Sequence, residues 1–171
     1  GKTYLKIYLQ NKKNFDLKCL AANSNLKKLL NQKKKYKPTY SFLINKNITN
    51  KSLIDKDQFI NKFKKKKIDF IISGLGGYEA ININFDLLKV CKNLLIANKE
   101  TIICGGEIFL KNAKKNKCNV VPIDSEHHCI DFFYKNFFKK KEIKEVFIIA
   151  SGGPFYSKRL THNESIKKVI N

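Results

Sequence analysis

The chain contains no methionine, not even at its first position. A translated protein begins with one, so the sequence is expected to be an internal piece of a longer chain, with both ends read as cuts. Arginine is almost missing too: Lys and Arg together number 35, and Arg159 is the only arginine among them. Proteins that read nucleic acid usually lean on arginine for bidentate contacts. The net charge of +21 therefore does not by itself point to a nucleic-acid partner. The lysines are spread along the whole chain, which is also heavy in Asn, Ile, Phe and Tyr. All five residue types have AT-rich codons, so base composition explains the excess, and no recognition motif accompanies it. Non-specific attraction to polyanions at low salt follows from the charge alone.

Two further absences narrow the class. No apolar run is long enough to cross a bilayer, and no signal-peptide pattern is present, so no membrane partner is expected. The five cysteines, Cys19, Cys91, Cys104, Cys118 and Cys129, are odd in number and include no C-x-x-C pair. Free thiols in a reducing cytoplasm are the simplest reading. With 171 residues, 43% of them hydrophobic, the chain is long enough for one domain, or for one domain and part of another.

What is present is an alternation. Strands are predicted over FDLKCLAA (15–22), TYSFLIN (39–45), IDFIISG (68–74), NLLIA (93–97), NVVPI (119–123) and EVFIIA (145–150). The run at 68–74 reads as a strand covered on both faces. Helical spacing is predicted around 25–32, 81–92, 106–117 and 128–140. The lysine runs at 33–35, 64–67 and 139–141 fall at helix ends or in loops. Strands alternating with helices of this length mean βαβ units and a mostly parallel sheet. Ligands of such sheets bind outside the carboxyl ends of the strands. The residues placed there are small, polar or charged: Asn23-Ser24-Asn25, Ser73 to Gly77, Asn98-Lys99-Glu100, Asp124-Ser125-Glu126 and Ser151-Gly152-Gly153.

Each of these turns has a functional and a plain reading. If the chain stays extended at Asp124 and Glu126, both carboxylates point the same way and repel unless a cation sits between them. Hard oxygen donors select Mg²⁺ or Mn²⁺. A helix N-terminus capped by the same acidic residues is the competing reading, and both stay open here. Cys118, His127, His128 and Cys129 lack zinc-site spacing. ASGGPF (150–155) offers backbone N–H groups and the Ser151 hydroxyl to a phosphate, or is only a tight turn. Lys99 is a point charge for a substrate oxygen, or a surface lysine. SGLGG (73–77) lacks the G-x-G-x-x-G spacing of a dinucleotide loop, so a turn is the safer reading there.

LLIANKETIICGG, VVPIDSEHHCI and ASGGPF, in that order and spacing, closely resemble the 1-deoxy-D-xylulose 5-phosphate reductoisomerase family. FDLKCLAANSN and the helix opening at Gly1-Lys2-Thr3 resemble that family's amino-terminal region, so the likeness covers essentially the whole chain. It implies an α/β fold: a Rossmann-like, doubly wound, mostly parallel sheet over residues 1–122, with the first strand and most of the glycine-rich loop missing. The beginning of an α+β catalytic domain would follow over 123–171. It also implies an NADPH-dependent, Mg²⁺- or Mn²⁺-dependent cytoplasmic enzyme. Such an enzyme converts 1-deoxy-D-xylulose 5-phosphate, a sugar phosphate, to 2-C-methyl-D-erythritol 4-phosphate in the non-mevalonate route to isoprenoid precursors, and is a homodimer when full length.

Carried over by position, the resemblance makes Asp124 and Glu126 metal ligands and places them with Lys99 at the reacting centre. Lys99, Ser125, Glu126 and Ser151 would contact substrate. Asn23, Ser24, Asn25, Asn98 and Glu100 would flank NADPH. The family carries Gly-Lys where this chain has Asn23-Ser24, so the usual lysine contact to the cofactor's ribose phosphate is lacking. The pyrophosphate loop would precede Gly1, and the lid and a third carboxylate would follow Asn171, so this stretch alone is expected to be inactive. Two alternatives remain: another NAD(P)-dependent α/β oxidoreductase sharing only the fold, and a basic nucleic-acid-binding module.

Overall fold

A computed structural model describes residues 2–137 and 142–147. The chain divides into two compact units, residues 1–124 and 125–171. In the first, helix α1 (Lys2–Gln10) precedes the alternation β1 (Cys19–Ala22), α2 (Leu26–Tyr36), β2 (Tyr40–Leu43), α3 (Lys56–Phe63), β3 (Ile68–Ser73), α4 (Ala80–Leu87), β4 (Cys91–Ile96), α5 (Lys99–Lys115) and β5 (Asn119–Pro122). Every strand pairing is parallel. β1 pairs with β2 in one sheet, and β3-β4-β5 forms a second. These parallel strands alternating with helices form a Rossmann-like arrangement of two wings.

Both wings share one core. Phe42 of β2 stacks on Phe59 of α3 with ring centroids 5.1 Å apart, and both belong to the cluster containing Leu94, Ile96 and Phe109. α3 has a sharp start, because Asp55 caps it and Gln58 reaches back to the cap residue's N–H. α4 meets α5 through Phe85 and Phe109, edge to face at 5.1 Å. Within α5, a Cβ added at Gly105 would lie 3.0 Å from the Phe109 Cβ, tighter than side chains normally pack. Gly106 follows at φ 45°, breaking α5 about two turns after its start.

An ion-pair cluster ties α3 to α4. Lys56 Nζ lies 2.6 Å from Asp86 Oδ2, and Lys89 Nζ lies 2.9 Å from Asp86 Oδ1. Burial pushes the Asp86 carboxyl up, but the bonds from Lys56 and Lys89 more than offset this and hold it below the usual carboxylate range. A folded value below the unfolded one gives stability that is complete above the ordinary range. That stability is lost as pH falls through the folded value. Asp86→Asn is expected to lower stability at neutral pH and to flatten the acid limb of the stability–pH curve below about pH 4. Denaturant unfolding of both forms from neutral to acid pH checks this.

Several boundaries differ from expectation. The strand predicted at 15–22 is confined to Cys19–Ala22. The helical pattern at 81–92 ends at Leu87, because Cys91 already begins β4. The helices predicted from 106 and 128 begin earlier, at Lys99 and Ser125. α3 was not predicted at all. β3 is not covered on both faces: Phe70 and Ile72, two residues apart and so on one face, are 57% and 42% exposed. In the second unit, α6 (Ser125–Asn136) is the described helix. Of the strand expected at 145–150, residues 145–147 are irregular and the rest lie outside the described residues, as do the 139–141 lysine run and the ASGGPF turn.

Candidate active site

The turn after β1 is set by Asn25, whose side chain accepts a hydrogen bond from the Lys28 N–H and caps α2. Asn23 and Ser24 precede it and are exposed. Asn23 Nδ2 donates to Glu79 Oε2 at 3.0 Å, which joins this turn to the one that follows β3. The β3 turn contains Gly77 at φ 77°, in the left-handed region that favours glycine. A Cβ built on Gly76 or Gly77 meets nothing within 4 Å, so this backbone faces open space.

The turn after β4 is held from beneath by a chain of buried polar side chains. Ser73 Oγ donates to Asn84 Oδ1 at 2.6 Å, and Asn84 Nδ2 donates to Thr101 Oγ1 at 2.8 Å. The Thr101 hydroxyl and its backbone N–H both donate to Asn98 Oδ1, the backbone bond at 2.8 Å. Asn98 Nδ2 donates to Gly77 O at 3.1 Å and to Glu100 Oε2 at 2.8 Å. Ser73, Asn84, Asn98 and Thr101 are all buried. A satisfied network of this kind fixes one geometry, because breaking any link leaves a buried polar group unpaired. Its result is a rigid N-cap on α5 that sets Lys99, exposed, as the first helical residue.

The end of β5 reaches the same edge. Ala97 N–H donates to Ser73 O and Ile123 N–H to Ile96 O, each at 3.0 Å. The strand ends after β3, β4 and β5 are thus level, and Asp124 is the next residue. In the second unit, Ser125 opens α6 and its hydroxyl donates to Glu126 Oε2 at 2.7 Å. Glu126 lies in the first turn of that helix, so the chain is not extended through it. Asp124 directly precedes that helix in the chain. Among the described residues, no three or more His, Cys, Asp or Glu side chains gather to hold a metal. Ser151 lies outside the described residues.

Of the ten residues expected at the site, the first unit gathers the turns carrying Asn23, Asn25, Asn98, Lys99, Glu100 and Asp124 on one sheet edge. Sequence reasoning named Ser73 only as part of the β3 turn and missed Asn84, Glu79 and Thr101, which do the joining. Asn84 carried a faint signal, a polar residue within the apolar run of ININFDLL.

The family model described as 1-deoxy-D-xylulose 5-phosphate reductoisomerase matches residues 1–106, and the model for that enzyme's C-terminal domain matches residues 120–170. The chain belongs to the 1-deoxy-D-xylulose 5-phosphate reductoisomerase family. The reductoisomerase of Pelagibacter ubique (strain HTCC1062) is 36% identical across the whole of this chain and 45% of its own length. That of Wigglesworthia glossinidia brevipalpis is 33% identical over 99% of this chain and 48% of its own. The chain therefore spans about half the length of the curated reductoisomerases it matches. A DOX-P reductoisomerase solved with NADPH, fosmidomycin and magnesium superposes with a TM-score of 0.63 at 23% identity, over 74% of this chain and 34% of that one. The Zymomonas mobilis reductoisomerase solved with NADPH gives a TM-score of 0.63 at 19% identity, over 74% and 36%. These structures share the Rossmann-like arrangement of parallel strands.

Proposed function

We propose that the protein containing this chain converts 1-deoxy-D-xylulose 5-phosphate to 2-C-methyl-D-erythritol 4-phosphate, using NADPH and Mg²⁺ or Mn²⁺. The observation that supports this best is the joining of the β1, β3 and β4 turns through the Asn23–Glu79 and Asn98–Gly77 bonds. It brings the expected cofactor turns to one edge, beside open glycine backbone where a flat ligand has room. Residues 1–122 are read as the cofactor-binding domain and 123–171 as the start of the catalytic domain.

The residues have these roles in that reading. Asn23, Ser24 and Asn25 border the cofactor's ribose on the β1 turn. Asn98 serves the cofactor by holding its turn, since both amide hydrogens are already committed to Gly77 and Glu100. Glu100 lies beside it. Lys99 places an ammonium near a substrate oxygen, Ser125 donates to substrate, and Ser151 donates to its phosphate. Asp124 and Glu126 supply two hard carboxylate donors, a set suited to Mg²⁺ or Mn²⁺, and a third comes from chain beyond Asn171. A divalent cation held there supplies Lewis-acid polarisation of the substrate's oxygens, and NADPH supplies the hydride.

The wider setting belongs to the same proposal. The full-length protein is a homodimer, for which the exposed Ile103, Ile108 and Leu110 of α5 offer apolar surface. All five cysteines are free thiols, which supports a cytoplasmic location. Among the described residues, no helix is long and apolar enough to cross a membrane. The lysine excess serves no specific nucleic acid, and its retention on a polyanion column should fall steeply with salt. The test of the function is an assay of the full-length protein with the ketose phosphate, NADPH and Mn²⁺, reading NADPH loss and product mass. Turnover inhibited by a fosmidomycin-type phosphonate is expected. NADPH oxidation that ignores this ketose phosphate would move the chain to another α/β oxidoreductase activity.

The cofactor preference is predicted to be weaker than in relatives with lysine at this turn. Ser24 offers a neutral hydroxyl where a lysine makes a charge-assisted bond to the 2′-phosphate. The loss amounts to about 1.5–3 kcal/mol of discrimination between NADPH and NADH. Steady-state kinetics with both cofactors on the full-length protein and its Ser24→Lys variant measure it. Lysine should restore preference for NADPH by about ten-fold or more. An unchanged ratio would show that another residue already carries the role.

A further inference from the structure

Two cysteines meet at the far end of the sheet from the candidate site. Cys91 opens β4, and Cys118 stands one residue before β5. Their Sγ atoms are 3.5 Å apart, with Cys91 fully buried and Cys118 6% exposed. Strands β4 and β5 are hydrogen-bonded neighbours from Asn93 and Asn119 onward, and the two cysteines stand on the adjacent chain segments just before that register. Lys117, at φ 49°, turns the chain just before Cys118 and brings it under Cys91. We propose that Cys91 and Cys118 form a redox-active dithiol, which a peroxide oxidises to an intramolecular disulfide joining β4 to β5.

The two thiols are not equivalent. The hydrogen bond between the two thiols and burial push the Cys91 thiol up. The same hydrogen bond, with the nearby Lys67 ammonium, lowers Cys118 against the opposing effect of burial. Lys67 is anchored close by, its Nζ donating to Asn116 O. Cys118 is therefore the more readily ionised of the two and the nucleophile, and Cys91 the resolving thiol. Lys92 and Lys117, the neighbours of both cysteines, line an open concavity of about 730 Å³ together with Lys64, Lys67, Lys89 and Lys115. These lysines keep positive charge beside the pair.

The chemistry balances with hydrogen peroxide as oxidant. Cys118 S⁻ attacks one peroxide oxygen, the O–O bond breaks, and hydroxide leaves and takes a proton to become water. Cys118 is then a sulfenic acid. The Cys91 sulfur attacks the Cys118 sulfur, the S–O bond breaks, and a second water leaves with the Cys91 proton. Two thiols and one peroxide give one disulfide and two waters. None of the residues assigned to substrate or cofactor takes part.

The test uses the full-length protein, reduced, then treated with stepwise hydrogen peroxide and digested without reductant after alkylation. The expected result is a peptide pair linked through Cys91 and Cys118, lighter than the two free peptides by about 2 Da and separated by dithiothreitol. In Cys91→Ser, dimedone should trap a sulfenic acid at Cys118. In Cys118→Ser, Cys91 should stay unmodified. Oxidation of the exposed Cys104 and Cys129 with no Cys91–Cys118 link in the wild-type protein would overturn the proposal, and that readout needs no variant to fold. Dimedone labelling of Cys91 in Cys118→Ser would overturn the assignment of the nucleophile.

Discussion

Glu126→Gln in the full-length protein is expected to abolish turnover, by at least about 10²–10³-fold, while the fold and NADPH binding stay nearly intact. The change removes one negative charge and one strong oxygen ligand but keeps shape and volume. Asp124→Asn should behave alike. The alternative is that both residues serve the start of α6, because Glu126 lies in that helix's first turn and Asp124 directly precedes it. Under that alternative Asp124→Asn costs little, since asparagine caps about as well as aspartate. Glu126→Gln then costs at most about 1 kcal/mol of stability, and activity survives. Turnover and thermal unfolding measured on both variants distinguish the two.

The second large effect concerns the buried polar chain beneath the cofactor turns. Asn84→Ala is expected to destabilise the fold by about 2–4 kcal/mol. It opens a cavity and leaves the Ser73 and Thr101 hydroxyls without the partner they share. Because Thr101 also holds the Asn98 cap, Lys99 should lose its fixed position, and KM for NADPH should rise with kcat falling. Thr101→Val removes the same link isosterically and should reproduce the kinetic change at a smaller stability cost. Denaturant unfolding alongside steady-state kinetics checks both. Full stability in Asn84→Ala would mean that water replaces the side chain and the network is not what sets the turn.

The alternation of strands and helices was legible because continuous apolar runs such as NLLIA stand out against a lysine-rich background. The turns holding Asn23, Asn98 and Asp124 were legible for the same reason, since each follows such a run. α3 was missed, although its capping box, Asp55 to Gln58, is written in the sequence. Its apolar residues Phe59, Ile60 and Phe63 are diluted among lysine, glutamine and asparagine. The boundary between α4 and β4 was blurred because Leu87, Leu88 and Val90 extend a helical pattern into a turn that is buried for other reasons. The exposure of Phe70 and Ile72 depends on what packs against that face of β3, a fact of assembly that a local pattern does not hold. The network from Ser73 through Asn84 and Thr101 to Asn98 joins residues up to 28 positions apart, and no spacing rule links them. The same holds for Cys91 and Cys118, 27 positions apart, whose contact exists only once β4 and β5 pair.

The most direct measurement is a Mn²⁺ titration of the full-length protein and its Glu126→Gln variant, followed by calorimetry or by the electron paramagnetic resonance of free Mn²⁺. The expected result is one site per chain in the wild-type protein. In the variant its affinity should fall by about 100-fold or more, as for loss of one charged oxygen ligand. Equal affinity in the two proteins, with turnover retained, would contradict the assignment of Asp124 and Glu126 to the metal and leave them as the cap of α6.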